Sequence, residues 1–513
     1  MVLRFTTPAQ DISLAHLTEM RPKQLQTWLS NLHSSNPQLA AQAILTALAA
    51  LNRQPLSSEV RLNFLTDYYW PTAEVQIDML QLQLSGSMLP LSKKIDAHAR
   101  LAQELLIELT YGYKLVLIDN AKLTLRTQLD IAPVVYQLLT IQQRILTLCY
   151  EIYAPVPIGI WAEIHQEFEY ATQINFLEKS SAASILHLYQ RTLLIALADP
   201  YHLMQGELSL VVDISRVLAP LCHITQHPSA DDTPLFLLDL SLDSPPTMDK
   251  RLINDVTHGP STRFFNTHQA VQQLITQLTQ LAAGVAPVQL GLPNIASKTS
   301  YRFLLHRLIL SWDNPPTRRF NRHLPKHNDI ALGLGIRTIH ALLDAHTPDD
   351  ANSITNPAFF TPAPSHRSHY LAHWEIINIG AQGHALRNKT VAPSHIKVGE
   401  LISIREQNDE IWQLCIIKWV KNINTETVQI GVQRLPPNAR GVQVFNPLSP
   451  IKTMQPGILF PANALLNQPT LLLTPHGMYM NNVHMELITV TTHTIKPQHL
   501  IMQTQSFDLF EIS

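Results

Sequence analysis

Leu414-Cys415-Ile416-Ile417-Lys418-Trp419-Val420 is a short segment rich in β-branched and aromatic residues. Two similar segments flank it, Gly399-Glu400-Leu401-Ile402-Ser403-Ile404 and Gln429-Ile430-Gly431-Val432-Gln433-Arg434-Leu435. Short apolar runs of this kind, separated by polar residues and Gly, are typical of β-strands. Together these segments predict a small β-barrel in the C-terminal half of the chain.

A cationic segment, Arg318-Arg319-Phe320-Asn321-Arg322, precedes these strands. A guanidinium group is planar and always charged, so Arg318 and Arg322 can reach phosphate oxygens or the O6/N7 edge of guanine with two hydrogen bonds each. The alternative interpretation is a solvated basic loop before a strand.

A glycine-rich turn, Asn378-Ile379-Gly380-Ala381-Gln382-Gly383, follows a strand-like segment that begins at Trp374. The two glycines suit a turn whose backbone either approaches another group closely or takes positive φ. Asn378 carries both a donor and an acceptor, which can match the Watson–Crick edge of guanine. The alternative interpretation is an ordinary Asx turn that joins two strands.

The order of these elements resembles the PilZ domain family over about residues 313–440. The resemblance rests on an RxxxR segment, an [Asp/Asn]xSerxxGly turn and the strands Gly-Glu/Asp-Leu-Ile, Ile/Val-Lys/Arg-Trp-Val and Gly-Val, matched here by Arg318 to Arg322, Asn378 to Gly383, Gly399 to Ile402, Ile417 to Val420 and Gly431 with Val432. It implies a six-stranded antiparallel barrel that binds cyclic di-GMP. The candidate ligand-binding residues it implies are Arg318, Arg319, Arg322, Asn378, Gly380 and Gly383.

Two features depart from the family pattern. Gly380 stands where the family usually has a serine, so one neutral hydrogen bond worth about 0.5–1.5 kcal/mol is missing. A Pro/Ser/Thr-rich insertion of about residues 344–372 lengthens the distance between Arg322 and Asn378, and Arg367 within it could supply another cation.

The remaining chain suggests further domains, since 513 residues exceed what one hydrophobic core usually serves. Apolar residues at three- and four-residue spacing, for example in residues 38–51 and 134–148, predict helices separated at prolines. We therefore predict an α+β protein with a helical array over residues 1–225 and a mixed α/β connecting segment over residues 226–312. The PilZ-like barrel over residues 313–440 and a small β-rich module over residues 441–513 would follow.

Composition excludes several classes of function. A formal net charge of -2 argues against a nucleic-acid binder, because affinity for the phosphate backbone needs many cations on one face. The start of the sequence lacks the layout of a signal peptide, and no apolar run approaches the ~18 residues of a membrane span, so a cytoplasmic location without membrane insertion is expected. The sequence contains no GxSxG, GxxxxGK[ST] or HExxH motif, and a non-enzymatic protein is predicted.

Histidines cluster near the predicted turn, at His366, His369, His373 and His384. No cysteine or carboxylate completes a metal-ligand set, so no metal or cofactor is predicted. The sequence instead predicts a bacterial cyclic di-GMP receptor, which couples nucleotide binding to an unidentified protein partner through its helical half. The alternative is a protein-interaction scaffold whose PilZ-like domain no longer binds nucleotide.

Overall fold

The computed structural model describes residues 3–32, 36–84, 86–122, 129–173, 180–227, 235–248, 259–315, 323, 329–344, 371–389, 395–406, 409, 411–449, 452–464, 467–489 and 491–513. The predictions made for Arg318, Arg319, Arg322, Arg367 and most of the insertion therefore lie outside the described residues.

The N-terminal half is helical, as predicted. Its α-helices are α1 Pro22–Leu32, α2 Pro37–Asn52, α3 Ser58–Asn63, α4 Trp70–Leu82, α5 Lys93–Asn120, α6 Ala132–Glu151, α7 Ile160–Gln173, α8 Ser180–Leu197 and α9 Glu207–Leu218. Helix starts follow from local sequence: Asn36 accepts a hydrogen bond from the backbone N–H of Gln38 at 2.9 Å, and Ser92 accepts one from Ile95 at 3.3 Å. These side chains satisfy N–H groups that have no partner within the helix.

Pro71 lies in the first turn of α4, as the proline positions predict, although the chain before it is also helical. The chain stays helical from Ser58 to Leu82, and a π-helical turn, Phe64–Tyr69, comes just before this proline. A π-turn shifts the backbone pairing locally, which accommodates a residue that cannot donate.

A small mixed segment connects the helical half to the rest of the chain. It contains β1 His223–Thr225, β2 Leu235–Asp239, β3 Thr262–Asn266, α10 His268–Ala282 and α11 Thr299–Asp313. The strands form one sheet in the order β1-β3-β2. Within the part of the chain that is described, no helix is long and apolar enough to cross a membrane.

A closed six-stranded antiparallel barrel follows, which confirms the predicted fold. Its strands are β4 Asp329–Leu334, β5 Leu371–Gly380, β6 Gly383–Asn388, β7 Leu401–Glu406, β8 Gln413–Asn422 and β9 Val428–Arg434, paired in the order β4-β5-β6-β9-β8-β7. Helix α12, Ile336–Asp344, lies between β4 and β5 in the chain. Side chains that alternate along the strands, such as Ile402, Ile404 and Ile430, are buried.

The C-terminal module is a curled seven-stranded antiparallel sheet. Its strands are β10 Arg440–Phe445, β11 Gln455–Phe460, β12 Leu471–Pro475, β13 Met485–Ile488, β14 Thr492–Ile495, β15 Pro497–Gln503 and β16 Phe507–Ile512. The strand order is β14-β13-β10-β11-β12-β16-β15. Its apolar face packs on the barrel, where Leu414 and Ile416 share a core cluster with Ile458 and Phe460.

The helical half contacts the end of the barrel remote from the β5–β6 turn. The N–H of Asn422, the last residue of β8, donates to the carbonyl of Tyr153 at 2.9 Å, and Lys421 lies 5.1 Å from the ring centre of Tyr201. Asn422 pairs with Val428, the first residue of β9. The last residues of β9 lie beside the turn, so the strand spans about 20 Å between the turn and the helical half.

Candidate functional site

The predicted turn is a β-hairpin tip. Gly380 ends β5, Gly383 begins β6 and the two residues pair, leaving Ala381 and Gln382 as the loop. Neither glycine has positive φ, so of the two alternatives only close approach applies. Close approach is the reason for Gly383, because a Cβ there would lie 1.8 Å from the carbonyl oxygen of Val432.

Gly380 is not constrained in this way. Among the described residues, a Cβ built on it would meet only the carbonyl oxygen of Gly383, at 3.6 Å, which is an ordinary van der Waals contact. The position that usually carries serine in the family therefore has room for one here.

Asn378 lies at a β-bulge two residues before the end of β5. Ile376 pairs with Leu386 and Asn378 with Ala385, which leaves Ile377 as the extra residue. A bulge changes the direction of the side chains next to it, and bulges are common beside binding sites. Among the described residues, none forms a hydrogen bond with the half-buried side chain of Asn378, so the Asx-turn alternative does not describe it.

The segment before β4 returns to this turn. The N–H of His323 donates to the carbonyl of Ile379 at 3.0 Å, and the N–H of Ile379 donates to the carbonyl of His323 at 2.9 Å. His323 thus pairs with the residue between Asn378 and Gly380. His323 follows Arg322 directly in the sequence, and Arg318, Arg319 and Arg322 themselves lie outside the described residues.

Strand β9 borders the turn on its other side and contributes a cation that the sequence analysis missed. The N–H of Arg434 donates to the carbonyl of Gln382 at 2.9 Å. Its guanidinium donates twice to Nε2 of His384, from Nε at 3.1 Å and from Nη2 at 2.9 Å. In the sequence, Arg434 is visible only as a cation near the end of a predicted strand. Its position beside the turn depends on the strand order, which the sequence does not show.

His384 is an acceptor for this arginine. Its ring is 6% exposed, and burial together with the Arg434 charge lowers its pKa to about 4. Nε2 accepts both bonds, so the proton of the neutral ring is on Nδ1, which is buried without a partner. His373 lies in β5 and His366 and His369 lie outside the described residues; no group of three potential metal ligands occurs in the described part of the chain.

Comparison with known proteins assigns the barrel to a class. Residues 344–441 match the family model described as the middle PilZ domain of the cyclic-di-GMP receptor FimW, so the barrel is a PilZ domain. Residues 23–230 match the N-terminal domain of the same receptor, and residues 441–513 match its C-terminal beta-barrel domain. The middle match begins after β4, so neither β4 nor the cationic segment lies within it.

The same relationship extends along the chain. Over 544 aligned residues, this chain is 24% identical to the Cyclic-di-GMP receptor FimW of Pseudomonas aeruginosa, and the alignment covers 92% of this chain and 86% of that protein. The three domain models of this receptor thus match the chain in the same order, from residue 23 to residue 513 with a gap between residues 230 and 344. No solved structure matches it.

Proposed function

We propose that this protein is a receptor for cyclic di-GMP and that the ligand binds at the β5–β6 turn. The pairing of His323 with Ile379 is the observation that carries this proposal. In the sequence, His323 directly follows the predicted RxxxR segment, so the proposal assigns the cations of that segment to the same site. The relationship to the FimW receptor supports the same ligand.

Each part of the proposed site has a distinct role. Arg318, Arg319 and Arg322 would hold the phosphates and the guanine faces, as charged planar groups suited to both. Asn378 would bind the Watson–Crick edge of a guanine, and its amide has no hydrogen-bond partner among the described residues. Gly380 would leave the tip of β5 open to the ligand, and Gly383 would hold β6 against β9 so that the turn keeps its shape.

We propose that this protein is not an enzyme. We also propose that it is located in the cytoplasm. Its output would be a change in how the barrel sits on the helical half, which presents the altered face to a protein partner in motility, type IV pilus or surface-attachment control. The ligand would have to favour one of two arrangements to do this. The contact between Asn422 and Tyr153 lies at the far end of β8 and β9, so these strands connect the turn to the helical half.

Titration calorimetry of the full chain with cyclic di-GMP tests the binding proposal. We expect saturable heat and a rise in melting temperature with ligand, since binding to the folded state alone stabilises it. The absence of both at high micromolar ligand would reject the receptor and favour the alternative of a scaffold with a degenerate PilZ domain.

Hydrogen exchange tests the coupling proposal separately. Cyclic di-GMP should change the exchange rate of the Asn422 amide and of the Ile396 amide, which donates to the carbonyl of Leu89 at 3.2 Å, since both bond to the helical half. Protection confined to the turn would leave the protein a receptor but would contradict transmission through this interface.

A further inference from the structure

The β9 side of the turn carries a charged group with unused donors. Arg434 is exposed, and its guanidinium has five N–H groups, of which two donate to His384. Among the described residues, no acceptor engages the other three, which include the end-on pair formed by Nη1 and Nη2. This pair matches two acceptor oxygens in one plane, as in a phosphate, or the O6/N7 edge of a guanine.

The position of Arg434 is fixed in three ways. Its N–H bonds the carbonyl of Gln382 in the loop itself, and its side chain bonds His384, the second residue of β6. Gly383 brings β6 and β9 together, because its missing side chain leaves room for the carbonyl of Val432. A long arginine side chain is thereby held beside the turn, which lowers the entropy lost on binding.

We propose that Arg434 contacts the ligand directly from the β9 side and that His384 is the residue that positions it. The inference rests on the proposed function, because it takes cyclic di-GMP as the ligand of the turn. His323 borders Ile379 on one side of the hairpin, and Arg434 borders Gln382 on the other. A ligand over the turn then meets a cation on the β9 side that does not belong to the RxxxR segment.

The structure also explains why His384 suits this role. A charged imidazole would repel the guanidinium and could not accept from it, but burial and Arg434 lower the pKa of His384 to about 4. The ring is therefore neutral near pH 7 and presents a lone pair at Nε2. Because Nε2 accepts from Arg434, the buried Nδ1–H has no hydrogen-bond partner among the described residues, which is unfavourable for stability.

Calorimetry with cyclic di-GMP on the full chain tests the role of Arg434. Arg434→Gln should weaken binding about tenfold or more, since a charged hydrogen bond to the ligand is lost, and circular dichroism should show that the variant is folded at the temperature of the measurement. The affinity of Arg434→Lys should lie between those of the wild type and Arg434→Gln, because lysine keeps the positive charge but lacks the planar guanidinium. Arg337→Gln is the matched control: it removes the same charge from an exposed position on α12 and should bind as the wild type does.

The outcomes separate this inference from the proposed function. If the wild type binds and Arg434→Gln matches Arg337→Gln, the role of Arg434 is rejected and the receptor stands. If the wild type does not bind, the receptor proposal itself fails, and the inference fails with it.

The positioning role of His384 has its own test. His384→Phe removes the acceptor while keeping a planar ring, and should weaken binding several-fold. His384→Gln restores an acceptor oxygen and should recover most of the affinity. Equal affinity of both variants with the wild type would show that Arg434 needs no support from this residue.

Discussion

Gly383 lies so close to Val432 that a Cβ at this glycine would be 1.8 Å from the carbonyl oxygen of Val432. The two residues belong to β6 and β9, which pair beside the loop that carries the candidate site. The hairpin tip is therefore part of the packing of the barrel, and its two glycines have different functions.

Gly383→Ala should destabilise the protein, whereas Gly380→Ala should not. The first change forces β6 and β9 apart, and overpacking of this kind costs about 1–3 kcal/mol. The second adds a Cβ that, among the described residues, meets only the carbonyl oxygen of Gly383 at 3.6 Å. Urea unfolding of both variants measures the difference, and equal free energies of unfolding would contradict the distinction between the two glycines.

Gly380→Ser should strengthen ligand binding. The position has space and does not have positive φ, so the serine that the family usually carries can be introduced without strain. A new neutral hydrogen bond is worth about 0.5–1.5 kcal/mol. Calorimetry with cyclic di-GMP should show that gain relative to Gly380→Ala, and a serine variant no tighter than the alanine variant would mean that the hydroxyl does not reach the ligand.

Arg318→Ala and Arg322→Ala should each weaken binding by about 1.5–3 kcal/mol, as expected for lost charged hydrogen bonds. Arg337→Ala, on α12, serves as the control for a lost exposed charge. Calorimetry on the three variants measures the effect. Unchanged affinity in both test variants would place the ligand elsewhere on the molecule.

The pKa of His384 predicts a dependence of stability on pH. This pKa is lowered to about 4 in the folded state, so the unfolded chain binds a proton between pH 6.5 and 4 that the folded chain does not. The contribution of His384 to the free energy of unfolding is therefore present above pH 6.5 and is lost as the pH falls toward 4.

Urea unfolding at pH 7 and pH 5 tests this dependence. The wild type should lose more stability between these values than His384→Gln, which cannot take up the proton. His499→Gln, at an exposed position of β15, controls for the loss of any histidine. If the His384 and His499 variants show the same loss as the wild type, His384 does not remain neutral in the folded state.

The strands of the barrel were readable from sequence because each is a local property. The segments from Leu414, Gln429 and Gly399 are short, apolar and bounded by polar residues or glycine, and all three are strands. The prolines were also readable, since Pro37, Pro71 and Pro133 each lie in the first turn of an α-helix, although a π-turn before Pro71 keeps the chain helical there.

The candidate site was readable only in part. Asn378 and the glycine turn form one contiguous segment, so the sequence alone predicted a turn there, which the structure shows as the tip of the β5–β6 hairpin. Arg434 could not be identified in this way, because it lies 51 residues after Gly383 and reaches the turn only through the pairing of β6 with β9.

The sequence by itself determined the helical half, the strands and the composition of the turn, since these depend on neighbouring residues. Tertiary structure decided which glycine is obligatory, which histidine stays neutral and which arginine borders the turn. Gly431 follows the same rule: a Cβ there would lie 1.8 Å from the indole of Trp419, a contact that only the pairing of β8 with β9 creates. Close approach, burial and charge neighbourhood depend on residues distant in the chain, so they are fixed only when the barrel closes.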